Sequence, residues 1–591
     1  MSEEIDTMRI IHYALVDLGF KRSASPSTEE YIKNFEINGV IFPIRIILHD
    51  PFFVTKPSII LEEKPESLSL NIPHLFLDKH LCYLDDTGAE FDRYSPHQNI
   101  SIVYSSLLHL LEQYAKEPKL LQEEFRRELP AYWKSEFSDY AFFSAEDADN
   151  LIFEYFERND LKGNSLNEFI ISDSPDTVKT WKAKRSQTGK VKFSGKALLI
   201  ELPEDISFNL DEWPPNCFSD LEKWLSEEAS NSTSQRFVSK LFSIISKESA
   251  CFIVLKLNEM LLGVMLNYSQ KNNKKIIREK FKTHKVVKRG KKTPIQISPS
   301  RMKALIRGLE KNEKNKGFSR LNVSDARPAT IHTRNLVDQV DLSKLKIAVI
   351  GCGTVGGYAA SLLYQAGAGT RGGNLSLFDY DILDTENLGR HYLGVQYLDE
   401  NKAEALSNEL IQLSGNIVNI LAIPTKFPSY EIQNTSEPFD LIIDTTGDIN
   451  FSNSLCHNMH RTNKPVPIIY AWVDAGGLAA RALLDEVTPS KACYVCLKER
   501  QSDRSINERF PLIKKGQPLP SWIPKPCGIG GYLPFSTQAS ISAAGLAQSL
   551  SLDWVNKSAT PHFRHLSLDK RVRHTKSGDI KPLKNCPCCQ K

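Results

Sequence analysis

The sequence has 591 residues, of which 41% are hydrophobic and 25% are charged, and its formal net charge at pH 7 is +3. This length predicts three or four domains, and the composition is that of an ordinary globular chain. No apolar run approaches the ~20 residues of a membrane span, and the acidic start MSEEIDTMRI lacks the order of a secretory signal, so we expect a soluble, cytoplasmic protein.

Residues 1–155 predict an α+β domain. Apolar residues recur with helical spacing over 6–18, and the pair Asn38-Gly39 between two apolar runs is a strong hairpin signal. A second apolar helical pattern follows over 103–114. The expected order is therefore helix, strand meander, loop and helix.

Residues 156–318 predict a linker domain of the α/β type, with no catalytic pattern. KALLIEL and ACFIVLKL are typical of strands, whereas LEKWLSEE and RFVSKLFSIIS are typical of helices. Between Lys271 and Arg320 there are 18 lysine and arginine residues against three glutamates, a net charge of +15 that leaves −12 on the rest of the chain. Such a stretch can bind nucleic acid or an acidic partner, but its few regularly spaced apolar residues favour a solvated connector, and nucleic acid is not the expected partner.

The pattern from Leu345 onward predicts a doubly wound, Rossmann-like domain over 319–591. A strand KIAVIG is followed by a glycine loop, a helix YAASLLYQAG and a strand LSLFDYD. Gly351, Gly353 and Gly356 fit the pattern GxGxxG, in which glycines let the backbone approach a phosphate at a helix N-terminus. The same glycines are also compatible with a tight turn alone.

The residues after the second strand distinguish between nucleotides. A nicotinamide site needs one acid here, at the position of Asp379, to bind the ribose. This stretch adds Asp381, Asn387, Arg390 and Lys402, and the two cations suit a triphosphate and its departing pyrophosphate. We therefore predict ATP rather than NAD.

Lys402 is predicted to begin a helix at the ligand edge of the sheet. Ala403, Leu406, Leu410 and Leu413 are expected to face inward. The alternative is an ordinary solvated lysine on the helix surface.

The chain has eleven cysteines, an odd number that argues for metal and thiol chemistry rather than disulfides. Cys493 and Cys496 form one CxxC unit, and Cys586 and Cys589 form another. Four thiolates at this spacing predict a structural zinc site. Cys588 is an alternative to Cys589 as the fourth ligand.

The C-terminal motifs together resemble the ThiF/MoeB and ubiquitin-activating superfamily. They are GxGxxG, an Asp-x-Asp pair, Asn-Leu-x-Arg, a lysine and IIDTTGD, and they cover roughly residues 329–591. The resemblance implies a pocket that binds Mg-ATP and adenylates the C-terminal glycine of a ubiquitin-like protein. It also implies paired CxxC zinc knuckles and a homodimer.

The resemblance assigns roles to further residues. Arg334 in IHTRNL matches the upstream arginine that reaches the phosphates. The family often has Asp-x-Thr-Asp, whose second acid binds magnesium, whereas this chain has Asp444 and, four residues later, Asp448. Either carboxylate is compatible with the magnesium role, and Asp448 is the favoured one.

Cys527 is the candidate for a first thioester. It follows Pro526, precedes a glycine-rich loop, and lies ahead of a helix predicted to begin near Thr537. A thiol near a helix N-terminus has a lowered pKa, and Cys527 resembles the family's thioester cysteine. A buried loop cysteine is the alternative.

The region around Cys82 resembles the active site of ubiquitin-conjugating enzymes. A histidine-containing turn, Pro73-His74-Leu75, precedes the cysteine, and Tyr-Ser-Pro then precedes a helix. The usual His-Pro-Asn is absent, so the oxyanion-steadying asparagine is missing or comes from elsewhere. His74 is a candidate orienting group for the incoming amine, and a packed histidine is the alternative.

A conjugating-like domain ahead of an activating domain resembles the fused enzymes of bacterial antiphage operons of the CBASS type. The resemblance implies that the C-terminus of a cyclic-oligonucleotide synthase, or of a ubiquitin-like protein, is joined to target amines. Cys527 would take the acyl group first and Cys82 second.

Three rival functions remain open at this point. One is a sulfur-carrier adenylyltransferase without conjugation, and another is a nucleotide-binding scaffold with inert thiols. An NAD oxidoreductase is the least compatible, because no motif offers a hydride acceptor site.

Overall fold

The computed structural model describes residues 2–590 except 24–28, 67, 69–71, 77, 85–89, 117, 134–138, 161, 187–189, 205, 207, 209–213, 229–239, 242, 245–247, 268–316, 337, 416, 429–438, 502, 504, 519–522, 525–530, 559 and 574. The chain forms two compact units, Met1–Ser174 with Thr188–Ser324 and Pro175–Gln187 with Asp325–Lys591. Cys527, most of the basic stretch and most of the helix predicted over 236–246 lie outside the described residues.

The first unit begins with the predicted helix, antiparallel meander and helix. Its elements are α1 (Ser2–Asp17), β1 (Lys21–Arg22), β2 (Glu29–Ile37), β3 (Val40–Leu48), β4 (Ser58–Leu61), α2 (Pro96–Lys116), α3 (Pro118–Arg127) and α4 (Leu129–Trp133). Asn38 and Gly39 have φ of 51° and 78°, the left-handed pair that a two-residue hairpin turn requires. Alternate residues of β3 point inward and pack against α1 and α2 in one hydrophobic core.

The remainder of this unit is a closed barrel with the strand order β10-β11-β5-β7-β6-β8-β9. Its strands are β5 (Tyr140–Phe143), β6 (Ile152–Asn159), β7 (Ser165–Ser172), β8 (Val191–Glu201), β9 (Ala250–Leu257), β10 (Met260–Asn267) and β11 (Phe318–Asp325). Helix α5 (Pro175–Arg185), between β7 and β8, belongs to the second unit, and α6 (Phe218–Glu228) precedes β9.

The barrel includes residues on both sides of the boundaries predicted at 155/156 and 318/319, and the α/β linker predicted there is a β-barrel. The first boundary falls inside β6, and the second lies at the start of β11. Local patterns missed the closure because β5 and β11, which pair, are far apart in sequence. The run ACFIVLKL is apolar throughout because alternate residues of β9 face the barrel interior and the helices outside.

The second unit contains the predicted doubly wound sheet. Its strand order is β14-β13-β12-β15-β16-β17-β22, with β17 and β22 antiparallel. The strands are β12 (Lys346–Ile350), β13 (Asn374–Phe378), β14 (Ile420–Ile423), β15 (Leu441–Asp444), β16 (Ile468–Asp474), β17 (Ala479–Asp485), β18 (Lys498–Arg500), β19 (Ile506–Glu508), β20 (Ile523–Pro524), β21 (Gly531–Tyr532) and β22 (Phe563–Ser567). The helices are α7 (Pro328–Thr333), α8 (Thr354–Gln365), α9 (Lys402–Leu413), α10 (Ile449–Met459) and α11 (Thr537–Val555).

Two helix starts of this unit agree with the sequence prediction. Helix α9 begins at Lys402, and α11 begins at Thr537. Ala403, Leu406 and Leu410 are buried as expected, but Leu413 is 54% exposed, because the helix ends there. Within the described part of the chain, no helix combines the length and apolar character that a bilayer span requires.

Candidate active sites

The glycine loop joins β12 to α8. Gly351 has a φ of 85°, and a Cβ on Gly356 would lie 1.7 Å from the carbonyl oxygen of Gly351, so the turn itself requires both glycines. A Cβ on Gly353 would meet nothing within 4 Å. Gly353 is the residue before α8 and borders open space, so the loop leaves room beside a helix N-terminus.

A cavity of about 700 Å³ lies beside this loop, at the carboxyl ends of β12, β13 and β15. This is where open α/β sheets bind ligands, and the volume is in the range of small-molecule sites. Six of the residues proposed from the sequence line it: Gly351, Gly353, Asp379, Asp381, Lys402 and Asp448.

The two acids after β13 have different environments. Asp379 accepts hydrogen bonds from the backbone N–H of Cys352 at 2.7 Å and of Asp381 at 2.9 Å, and burial raises its pKa. Asp381 is exposed, and one of its carboxylate oxygens lies 2.9 Å from Nζ of Lys402. Asp379 is thus held rigidly at the end of its strand, whereas Asp381 balances the lysine charge.

Lys402 is buried, with only 9% of its side chain exposed, so the alternative of a solvated surface lysine is wrong. Asn401, which sequence reasoning missed, caps α9 by accepting hydrogen bonds from the N–H groups of Ala403 and Glu404. Its amide also donates to the carbonyl oxygen of Asp379 at 3.0 Å. The start of α9 is therefore tied to the loop after β13, which fixes the lysine at the cavity.

The two candidate magnesium acids differ in their exposure to the cavity. Asp444 is 2% exposed, and its carboxylate accepts hydrogen bonds from the hydroxyls of Thr446 at 2.7 Å and Ser452 at 2.6 Å. Asp448 is exposed at the cavity and caps α10 through the N–H groups that follow it. Asp444 is thus enclosed by its own hydrogen bonds, whereas Asp448 lines the cavity.

Three other predicted residues are not among the described residues that line the cavity. Arg334 is exposed at the end of α7. The guanidinium of Arg390 lies over the ring of Phe535, 5.3 Å from its centroid. Asn387 accepts a hydrogen bond from the N–H of Asp384 at 3.2 Å. Arg390 and Asn387, which lie in the loop after β13, thus contact other residues of the protein in this structure.

The predicted zinc ligands come together in one hydrophobic core cluster of the second unit. Cys493, Cys496, Cys586 and Cys589 are buried, and their sulfur atoms all lie within 4.8 Å of one another. Three of the Sγ–Sγ distances within the set are 3.6 to 3.8 Å. A Zn–S distance of about 2.3 Å gives tetrahedral edges of about 3.8 Å, so the four sulfurs fit Zn²⁺. Cys589, rather than Cys588, completes this set.

Cys82 lies in the first unit next to His74. Its backbone N–H donates to the carbonyl oxygen of His74 at 2.7 Å, and its side chain is half-buried. The His74 ring forms ion pairs with Glu128, where Nδ1 and Oε1 are 2.6 Å apart, and with Glu124, where Nε2 and Oε2 are 3.6 Å apart. Tyr132 also donates to Glu128 at 2.9 Å.

These contacts make Cys82, His74 and Glu128 one polar group. The Cys82 side chain, hydrogen-bonded to the ring, and then the Glu128 carboxylate raise the pKa of His74 to about 10. These contacts favour a protonated His74 ring beside the Cys82 side chain. The two glutamates were missed from the sequence because they lie on α3 and directly after it, far from His74 along the chain.

The pH dependence of His74 provides a test. Its ordinary pKa of 6.5 applies to the unfolded chain, so protonated His74 stabilises the fold fully below about pH 6.5, and this contribution is lost as pH rises through about 10. We expect an NMR titration of histidine-labelled protein to give a His74 pKa near 10. Glu128→Gln should lower it by more than one unit.

Two further variants serve to assign the His74 resonance and to control for the effect of the charge change. His74→Gln identifies the resonance. Glu123→Gln, at an exposed position on α3, should leave the pKa unchanged. A native His74 that titrates near its ordinary value would contradict the ion pair.

Two protein families match separate parts of the chain. Residues 326–551 match the ThiF family, and residues 17–142 match the prokaryotic E2 family B. The chain joins a ThiF domain to a prokaryotic E2 domain. Both resemblances expected from the sequence are confirmed.

Two relatives are similar along nearly the whole chain. An ATP-dependent ubiquitin transferase-like protein Cap2 from Pseudomonas aeruginosa is 29% identical, covering 91% of this chain and 90% of its own. Cap2 from Escherichia coli is 26% identical over 92% and 90%. Among solved structures, a crystal structure of E. coli MccB with ATP aligns with 42% of this chain and 67% of its own, at 19% identity and a TM-score of 0.30.

Proposed function

We propose that this protein uses ATP to activate the C-terminal carboxylate of a protein substrate and joins that carboxylate to a target amine. The observation that carries the proposal is the buried Lys402 beside the glycine loop of a ThiF domain, on the same chain as a Cys82–His74–Glu128 group in an E2 domain. The protein is thus an adenylyltransferase and a transferase.

The chemistry needs ATP because a carboxylate does not react with amines at neutral pH. The substrate carboxylate attacks the α-phosphorus of ATP, and pyrophosphate leaves. A thiolate then attacks the acyl carbon of the adenylate, and AMP leaves. After transfer to a second thiolate, the amine attacks the thioester and releases that thiolate, so an amide bond replaces it.

The cavity residues suit the first step. Lys402 and the N–H groups at the start of α8 stabilise phosphate charge, and Asp379 is placed for ribose hydroxyls. Arg334 and Arg390 are the further proposed phosphate ligands, with Asn387 beside them. A magnesium ion held by Asp448 would neutralise phosphate charge when bound.

The thiol relay rests on two residues. Cys527 is the proposed first acceptor and Cys82 the second, with His74 orienting the incoming amine. The substrate is proposed to end in glycine and to be a cyclic-oligonucleotide synthase or a ubiquitin-like protein, in a CBASS-type antiphage system. The protein is proposed to act as a homodimer, with Zn²⁺ bound by the four clustered cysteines.

A test uses pyrophosphate exchange together with non-reducing gels. The full-length protein is incubated with ATP, Mg²⁺ and each candidate substrate, and exchange of labelled pyrophosphate into ATP and thiol-sensitive adducts are measured. The same substrates with an amidated C-terminus are the matched control, because they lack the reacting carboxylate. Exchange and adducts should appear only with the free carboxylate, and their absence with both substrate classes would refute the proposal.

The role of Asp448 gives a separate prediction. Asp448→Asn keeps the helix cap, since asparagine caps as well as aspartate, but removes the charge presented to the cation. We expect the Mg²⁺ concentration for half-maximal pyrophosphate exchange to rise by about 10- to 100-fold. Asp440→Asn is the control, because Asp440 is an exposed acid that also accepts a backbone hydrogen bond, from Lys346. A larger effect from Asp444→Asn would assign magnesium to Asp444 instead.

A further inference from the structure

A second group of metal-type ligands adjoins the four-cysteine set. Cys456, His460, Cys588 and Cys493 offer one ligand atom each, and these atoms all lie within 4.8 Å of one another. Cys493 is therefore common to both groups. We propose that this second group binds its own Zn²⁺, with the Cys493 thiolate shared between two zinc ions.

Two of the ligands come from one helix. Cys456 and His460 are four residues apart on α10 and at its C-cap, so they face the same direction one turn apart. Cys456 is fully buried, and the side chain of His460 is 6% exposed. Paired ligands at this spacing are a common way for a helix to hold zinc.

Cys588 completes the group from the C-terminal segment. Its sulfur lies 3.5 Å from the sulfur of Cys456, close to the edge of a zinc–thiolate tetrahedron. Its neighbours Cys586 and Cys589 belong to the first set, so the segment from Cys586 to Cys589 supplies ligands to both sites. This accounts for the cysteine that the paired CxxC units leave over.

Asp485 orients the histidine. Both of its carboxylate oxygens lie 3.1 Å from Nε2 of His460, and one accepts a backbone hydrogen bond from Val487 at 2.9 Å. Carboxylates that hold one ring nitrogen of a zinc-bound histidine are usual, and the other nitrogen then faces the metal. Asp485 is 1% exposed, so it serves this buried group rather than the surface.

The donor set suits Zn²⁺ in particular. Three thiolates and one imidazole form a closed structural site of the Cys₃His kind, and soft sulfur ligands disfavour Mg²⁺ and Ca²⁺. Helix α10 would then be anchored to metal at its C-terminal end while Asp448 caps its other end at the nucleotide cavity. The inference does not depend on the adenylating activity.

The test is the zinc content of the full-length protein, measured by inductively coupled plasma mass spectrometry after purification without chelators. We expect two zinc ions per chain, and one in His460→Gln and in Cys588→Ser. His457→Gln, an exposed histidine on the same helix, should keep two. Cys456→Ser is a third variant, but its buried position makes folding failure a risk, so the other two carry the test.

The proposal is overturned by one zinc per chain in the wild-type protein, unchanged in His460→Gln. A disulfide between Cys456 and Cys588 in the purified protein, found by mass spectrometry of unreduced peptides, would overturn it as well. Zinc content below one would count against both sites, while pyrophosphate exchange tests the proposed function separately.

Discussion

Replacing Lys402 with alanine is expected to lower the rate of pyrophosphate exchange by about 10²- to 10³-fold, the usual cost of removing one preorganised charge-stabilising donor. The ammonium group is buried at the cavity and lies 2.9 Å from the Asp381 carboxylate. A buried cation at this position is worth more than one in water, because the lower dielectric strengthens its attraction to phosphate oxygens. Exchange measured at saturating ATP and substrate checks the result.

The control for this prediction is Lys464→Ala, an exposed lysine in the turn after α10. It should exchange at the wild-type rate. Thermal unfolding of both variants separates a loss of fold from a loss of chemistry, since Lys402→Ala also leaves Asp381 without its partner. A folded Lys402→Ala protein that exchanges normally would show that this cavity is not the phosphate site.

Replacing Cys82 with alanine is expected to abolish the amide product while leaving pyrophosphate exchange unchanged. The cavity beside the glycine loop lies in the second unit, and Cys82 lies in the first. The amide step needs a thioester on Cys82, and alanine has no group that can accept the acyl chain. Product is measured by mass spectrometry of the modified target lysines.

This experiment separates conjugation from its main rival. A sulfur-carrier adenylyltransferase has no use for Cys82 and makes no amide, so pyrophosphate exchange without any amide product in the wild-type protein would favour it. Cys217→Ala, another half-buried cysteine of the first unit, is the matched control and should form product normally. Loss of product in both variants would point to misfolding of the unit instead.

Local signals predicted the elements that depend on neighbouring residues. The Asn38-Gly39 hairpin turn, the glycine loop and the position of Lys402 at the first turn of α9 each follow from backbone preferences within a few residues. The resemblance to the two families, carried over residue by residue, then assigned chemical roles to individual positions. The four-cysteine set was predictable because CxxC spacing is itself a local pattern.

Other features depend on how separate segments pack together, so only the tertiary structure showed them. Asp448 lines the cavity, whereas Asp444 is buried and accepts a hydrogen bond from Ser452 on the next helix. The pKa of His74 is raised because the Cys82 side chain and Glu128, which is 54 residues away, lie beside its ring. The barrel closes through pairing of β5 with β11, and Cys588 approaches Cys456 from the C-terminal segment. Neither contact was predicted, because long-range packing leaves no periodic signal in the chain.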